Sequence, residues 1–467
     1  MRSALGGLVM GAVLAIAATA AALPVELRDS NGTRYHINTA VNPLLDDSTA
    51  SGAITDATYT KPVTVTSYWI GFTPFFGFTT VYTVQYKVDI PLTNAFNGFN
   101  GLLVSAVNGV NLPNPIVFNT GEGLLAEDCP QNGKNRQLTF QTQNVPAFDL
   151  ALTRKVFVPN NDEFARWLNV VTNTGTTERS VTLTLRGLLG SGSNTRVTST
   201  STGGSSVSAA DNWFATAQQT PANNRSLQPR MGFVVQGDGA PSRASIAIGS
   251  QGQTVFNYPV TLAPGASALL LTYVTVQGSS KHAKKVAENV VTLPSKAIAC
   301  MTQNELAQVV NFAPLTVPVT KNAQIKLNFK KQGKDEITWK GTVNVGAGIP
   351  LTGIVITVDV GGATGVFTLN KQGKSNLGGG NKLHLNANLK QGVTKAGDTK
   401  FNFTLKGDFQ GSLASYGLTN ATAKNVPVAV PVTFTVTPPE QAARGFGTTQ
   451  AFTWKATEGK SGTAKSQ

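Results

Sequence analysis

The residues able to do chemistry are few and scattered. The only histidines are His36, His282 and His384, far apart along the chain. Metal sites need several such ligands at short fixed spacings, so the sequence calls for no metal. No G-x-S-x-G elbow, phosphate-binding loop or dinucleotide fingerprint occurs, so it assigns no catalytic residue and no cofactor. Paired carboxylates remain, because a glycosidase needs two acids facing one sugar bond. Glu122, Glu127, Asp128, Asp162, Glu163 and Asp211 are the candidates in the first part. Asp162-Glu163 follows Pro159-Asn160-Asn161, which is turn chemistry. Glu127-Asp128-Cys129-Pro130 reads as a surface loop pinned by a disulfide. Neither Asp46-Asp47 nor Asn160-Asn161-Asp162 has the alternating spacing of a calcium loop.

Two further groups point to binding. Tyr68, Trp69, Phe72, Phe75, Phe76, Phe78, Tyr82 and Tyr86 crowd into 19 residues. Gly71-Phe72-Thr73-Pro74-Phe75-Phe76-Gly77 reads as a hairpin tip rather than a strand interior, because Pro and Gly break the ladder. Trp69, Phe72, Phe75 and Phe76 there either fold back into the core or form an apolar patch for glycan, lipid or protein. The second group is lysine. From Ala313 to Gln467 there are 17 Lys and one Arg against seven acids, a net +11; Leu23 to Phe312 carries only +2 of the total +14. Lys330, Lys331, Lys334 and Lys340 cluster about one expected strand–turn–strand. A basic face attracts polyanions such as acidic polysaccharide through a salt-sensitive term. The same lysines also block edge pairing and keep a β-rich chain soluble. Sequence-specific nucleic-acid readers favour Arg and stacking aromatics. Arg444 is the only Arg in this part, which argues against that function.

The elements that position these groups are mostly strands. The chain has 467 residues, 41% of them apolar, 13% charged and 47 of them Gly. It has apolar content enough for large cores, so global disorder is excluded. Val63–Trp69, Thr79–Val88, Val181–Leu185 and Val255–Thr261 show strand patterning. Ser191–Ala209 is Ser/Thr/Gly-rich and reads as a loop or edge strand. Lys281–Val291 switches to helical spacing through Ala283, Val286, Ala287, Val290 and Val291. Thr302-Gln303-Asn304-Glu305 is a capping box for a second helix burying Leu306, Val309 and Val310. Beyond Ala313-Pro314-Leu315-Thr316-Val317-Pro318 the pattern is β throughout, as in Ile337, Trp339, Val343 and Val345, or Val430, Val432, Phe434 and Val436. About eight strands without a helix are expected there, in one antiparallel sandwich.

The compartment is legible at the first residues. Met1-Arg2-Ser3, an apolar run and Ala18-Thr19-Ala20-Ala21-Ala22 make the three parts of a secretory signal. No later window is long and apolar enough for a spanning helix. The protein is expected to be secreted or at the cell surface, the periplasm included. In an oxidising compartment Cys129 and Cys300 are expected to form one disulfide; two buried thiols are the alternative.

Leu168-Asn169-Val170-Val171-Thr172-Asn173-Thr174-Gly175 before Val181–Leu185 resembles the strand–turn–strand of bacterial immunoglobulin-like domains. Leu262-Ala263-Pro264-Gly265-Ala266-Ser267 before Leu269–Val274 resembles a later turn of the same domains. The sequence expects Asn-x-Gly to supply positive φ and Pro-Gly to set a tight turn. Thr153–Val276 also resembles the large sandwich modules that precede catalytic domains in some secreted carbohydrate-active enzymes. The resemblance implies an exported β-sandwich module and carries no catalytic residue.

The sequence therefore reads as a mainly β protein. Residues 1–22 are the signal, 23–312 a large N-terminal β-sandwich closed by two short helices, and 313–467 a basic, Ig-like antiparallel β-sandwich. It reads as a non-enzymatic cell-surface, matrix or binding module. A carbohydrate-active enzyme or its glycan-binding accessory module is one alternative, and attachment to acidic polysaccharide through the basic part another. Glycan, acidic polysaccharide or an envelope surface are the expected partners.

Overall fold

The computed structural model describes residues 25–39, 51–75, 78–120, 124–131, 133–220, 228–294, 296–313, 319–343, 345, 349–390, 392–395, 399–439 and 444–466. The expected signal, linker residues 314–318, Asp46-Asp47, Phe76 and Glu122 lie outside the described residues. The chain is mainly β, built of antiparallel sheets with few short helices.

The first sandwich packs a nine-stranded sheet on a five-stranded one. The central strands of the larger sheet are Ser267–Gln277, Ala165–Asn173 and Leu150–Phe157; Arg179–Leu188 lies at the middle of the smaller. Inward positions of both sheets, among them Leu152, Val156, Trp167, Leu183, Leu185, Phe214 and Phe256, share one core. Period-2 patterning produces this, since alternate side chains of a strand face one side. Thr195–Thr200, within the Ser/Thr-rich segment, is an edge strand of the larger sheet.

Asn173 joins the two turns on which the immunoglobulin-like resemblance rests. Its side-chain amide donates to the carbonyls of Thr177, Leu262 and Ala263 at 2.7, 3.1 and 3.2 Å, and its Oδ1 accepts from the Gly175 amide at 2.9 Å. Gly265 takes the expected positive φ of 71°, but Gly175 does not. Gly175 is required by space instead, because a Cβ there would stand 2.8 Å from that of Asp149.

Helix α1 (Ser280–Val290) buries Ala283, Val286, Ala287 and Val290, with Ser279 accepting from the His282 amide as its N-cap. Val291 is only half-buried. The helix docks on the outer side of the larger sheet, and α2 (Gln303–Ala307) follows with its capping box formed. Past α2 the chain rejoins the sheet. Val310 donates to the Leu269 carbonyl at 3.0 Å, and buried Asn311 exchanges hydrogen bonds with the Leu271 backbone at 2.7 and 2.8 Å. The helices therefore cover a second apolar layer outside the sandwich, including Phe157, Leu271, Tyr273, Leu306 and Phe312.

Residues 319–466 form a ten-stranded sheet plus a two-stranded one. Ile325, Ile337, Trp339, Phe367, Phe403, Phe434 and Trp454 meet inside it. Its end strands, Ala363–Thr368 and Lys374–Gly378, come back into contact, so the sheet is nearly a barrel. Two expectations are corrected here. The strands exceed eight, because Gly-rich turns allow shorter segments than the apolar runs suggest. A helical turn also interrupts the β pattern, at Gln410–Leu413 and Ala414–Tyr416. Its Leu413 is buried and Tyr416 packs against the apolar layer under α1.

The aromatic segment is a third finding. β1 (Val25–Arg28), β2 (Arg34–Ile37), β3 (Ile54–Phe75) and β4 (Phe78–Leu92) make a four-stranded sheet in that order. β3 does not stop at Gly71: Gly71 opposes Tyr82, and Pro74 opposes Thr79. Proline is tolerated because each strand of a two-stranded ribbon is an edge, with no second neighbour needing the missing N–H. Trp69, Phe72 and Phe75 thus lie on the distal part of a long ribbon.

Candidate functional site

Of the carboxylates that a hydrolase would use, Asp128, Asp162, Glu163 and Asp211 are engaged in holding the chain. Asp211 is buried and accepts from five donors: Ser201 Oγ, the Thr202 amide and Oγ1, and the Ser208 amide and Oγ, at 2.8 to 3.3 Å. Burial pushes its carboxyl up, but the Thr202 and Ser208 donors outweigh this and hold it below the usual range. Asp128 accepts from Gln137 Nε2 at 2.8 Å and Thr139 Oγ1 at 3.2 Å, and Glu127 is exposed. Glu163 meets His282 Nε2 at 2.6 Å and Gln277 Nε2 at 3.1 Å, tying the 159–163 turn to α1. Asp162 Oδ1 accepts from the Glu163 amide at 2.8 Å. Its carboxyl is pushed up chiefly by burial, and also by the charges of Glu163 and Asp359.

The lysines are arranged differently from the sequence cluster. Lys330, Lys331 and Lys334 sit in the exposed turn between Val319–Asn328 and Asp335–Val343, where Asn328 Oδ1 accepts from the amides of Lys330 and Lys331. Lys340 alone of the four lies within a strand, opposite Asn322 and Asn402.

The ladder carries Lys340 into a larger set. Along one row the outward residues are Thr453, Lys465, Gln324, Thr338, Thr404, Lys382 and Asn376. The next row reads Lys455, Thr463, Lys326, Glu336 and Lys406, and another reads Lys340, Asn402, His384 and Lys374. Lys400 sits one pair beyond Asn402 on the same side. Alternate positions, such as Ile325, Ile337, Leu383, Leu405 and Ala464, are buried in the core. The outer face of seven neighbouring strands therefore presents Lys326, Lys340, Lys374, Lys382, Lys400, Lys406, Lys455 and Lys465, with Thr, Asn and Gln between them. At about 4.8 Å per strand it runs about 30 Å along the curve of the sheet.

Glu336 is the one acid in these rows, and it is bridged to Lys326 at 3.5 Å and Lys406 at 3.3 Å. Among the described residues no ion pair holds Lys340, Lys374, Lys382, Lys455 or Lys465. Burial, with the Lys374 charge added, pulls the His384 ring below its usual range. At one end of the face, residues 423–425 begin the next strand, Ala423–Thr437, where its register with Arg444–Thr457 shifts. With Lys424, Lys455, Lys465, Gln324, Thr453 and Thr463 they line an open groove of about 750 Å³. Sequence proximity missed this face because its lysines come one or two from each of seven strands. Alternation of Lys and Thr with apolar residues was the signal that could have found it.

No family model matches the sequence, and no curated protein matches it. Among solved structures the chain is similar to a polysaccharide lyase at 10% identity and TM-score 0.30, covering 89% of this chain and 46% of that one. It is similar to a galactose mutarotase-like protein from Lactobacillus casei ATCC 334 at 9% identity and TM-score 0.29, covering 54% of this chain and 100% of that one. The chain thus spans under half the length of the lyase. At these identities and scores the likenesses say nothing of substrate or of functional residues.

Proposed function

We propose that this is an exported, non-enzymatic binding protein of two β-sandwich units, divided near Ala313, that holds acidic polysaccharide. The outer face of the second unit's sheet is its binding surface. One observation carries the reading: eight lysines and a single glutamate on the curved outer surface of seven neighbouring strands, in a sheet whose other face is core. Fixed strands hold the cations at spacings set by the ladder, so a flexible polyanion meets a repeating charge array. Hydroxyl and amide side chains between them suit the hydroxyls of a sugar chain. Electrostatic attachment of this kind weakens steeply with salt. Export is supported by the Met1–Ala22 pattern.

The test is retention on immobilised polygalacturonate against neutral dextran, over a salt gradient. The wild type should be retained on the acidic polymer only. Lys455→Glu with Lys465→Glu should bring elution to markedly lower salt, and Lys330→Glu with Lys331→Glu should do so far less. Equal effects of the two pairs would show that net charge, not this face, does the binding. Retention on dextran would move the reading to neutral glycan.

A further inference from the structure

Beyond its first residues, where β3 pairs with β2, the β3–β4 ribbon is a strand pair without neighbours among the described residues. From Val63 to Phe75, β3 pairs only with β4, and β4 ends its sheet. At about 3.3 Å per residue this ladder is about 40 Å long. Two strands alone are marginal in water, and each open edge offers a row of unused amides and carbonyls. Natural edges are guarded by charge or proline. Here β3 has Pro74 in its distal half, but β4 runs from Phe78 to Ile90 without proline. Ile70 and Val84 are 55% and 43% exposed.

Between Val63 and Ile90 only Lys87 and Asp89 are charged. They stand two apart on the open edge strand. An antiparallel pairing of β4 with a second β4 about a two-fold axis through Val88 sets Lys87 opposite the partner's Asp89, and Asp89 opposite the partner's Lys87. The strand is therefore complementary to itself in both charge and backbone.

We propose that the protein self-associates through β4, edge to edge with a second copy of the chain, in this register. The two ribbons become one four-stranded sheet, which is the smallest change that fills both open β4 edges. A two-fold contact closes on itself and gives a dimer rather than a fibre.

Sedimentation of the full chain at micromolar concentration should show a dimer. Lys87→Asp or Asp89→Lys alone sets like charges opposite each other twice per dimer and should weaken association by about tenfold. The double exchange, Lys87→Asp with Asp89→Lys, restores opposite pairs and should restore the dimer. Cross-linking gives a second readout that does not depend on affinity. Residue 88 is the one position that faces its own copy, at a Cα separation within disulfide reach. Val88→Cys should form an intermolecular disulfide under mild oxidation, and Thr80→Cys should not. A monomeric wild type, a double exchange no better than the single variants, or equal cross-linking at both positions overturns the proposal. A monomer whose ribbon becomes protease-protected only on phosphatidylcholine vesicles overturns it in favour of a lipid surface.

Discussion

At the residue scale, several buried charged groups are structural. Arg166 is fully buried beneath the segment that carries Cys300. It donates to the Ala297 and Ala299 carbonyls at 3.0 and 2.6 Å and to Gln137 Oε1 at 2.9 Å, over the Phe157 ring. Burial pulls its guanidinium down to about 10. Arg166→Met keeps the bulk but leaves the Ala299 carbonyl and Gln137 Oε1 without this donor, while the Ala297 carbonyl keeps the Tyr273 hydroxyl at 3.1 Å, a loss of about 2 to 5 kcal/mol from two groups. Urea unfolding should show it, and an unchanged midpoint would sink this assignment. Asp29 is the acidic counterpart. Its Oδ1 accepts from the Asn31 and Thr33 amides at 2.9 Å each, and its Oδ2 from the Tyr35 hydroxyl at 3.2 Å. Burial nonetheless pushes it up to about 7, with the nearby Glu163 charge adding to the effect. The folded state therefore holds a proton that the unfolded state has released between pH 3.8 and about 7. Stability must fall as pH rises through that window. Asp162, also raised, has the same sign. Asp29→Asn should flatten the fall in thermal midpoint, and an unaltered slope would assign it elsewhere.

At the element scale, α2 is only five residues long and depends on its cap. Thr302 Oγ1 accepts from the Glu305 amide at 3.2 Å, and Glu305 Oε2 accepts from the Thr302 amide at 2.7 Å. Glu305 also meets Lys155 Nζ at 2.7 Å. Burial raises the Glu305 carboxyl, but Lys155 and Thr302 more than reverse this and hold it low. Thr302→Ala should cost about 1 kcal/mol in denaturant unfolding, with Thr302→Ser recovering most of it. A neutral Thr302→Ala would mean that tertiary packing alone holds the helix. The capping box could be read from four residues because every group in it is local. The ribbon could not: Pro74 and its flanking glycines argue for a tip, and only the pairing partner shows that the ladder continues past them. The same holds for the helical turn at Gln410–Tyr416. Its anchors, buried Leu413 and half-buried Tyr416, form no periodic run.

At the scale of the whole molecule, long-range contacts decide what the local patterns leave open. Cys129 and Cys300 are joined, with Cα atoms 5.8 Å apart across 171 residues of sequence. The bridge ties an outer strand of the larger sheet to the segment between α1 and α2. Reduction should lower stability, by up to about 5 kcal/mol in the chain-entropy model. Mass analysis of unreduced native protein should find no alkylatable thiol, and two would refute the bridge. The two sandwiches also touch. Thr449 Oγ1 donates to the Met301 carbonyl at 3.1 Å, and Lys296 lies so close on Gly362 that a Cβ there would meet its Cε at 2.5 Å. The sequence by itself determined that the chain is β, that its charge lies in the last third, and where the two helices start. Those properties follow from composition and from side-chain periods of 2 and 3.6 residues, which are local. Only the tertiary structure decided which lysines share a face, which acids are spent on turns, and where a strand edge is left open. Each of these depends on strand order and register, and pairing across dozens of residues leaves no periodic trace in the chain.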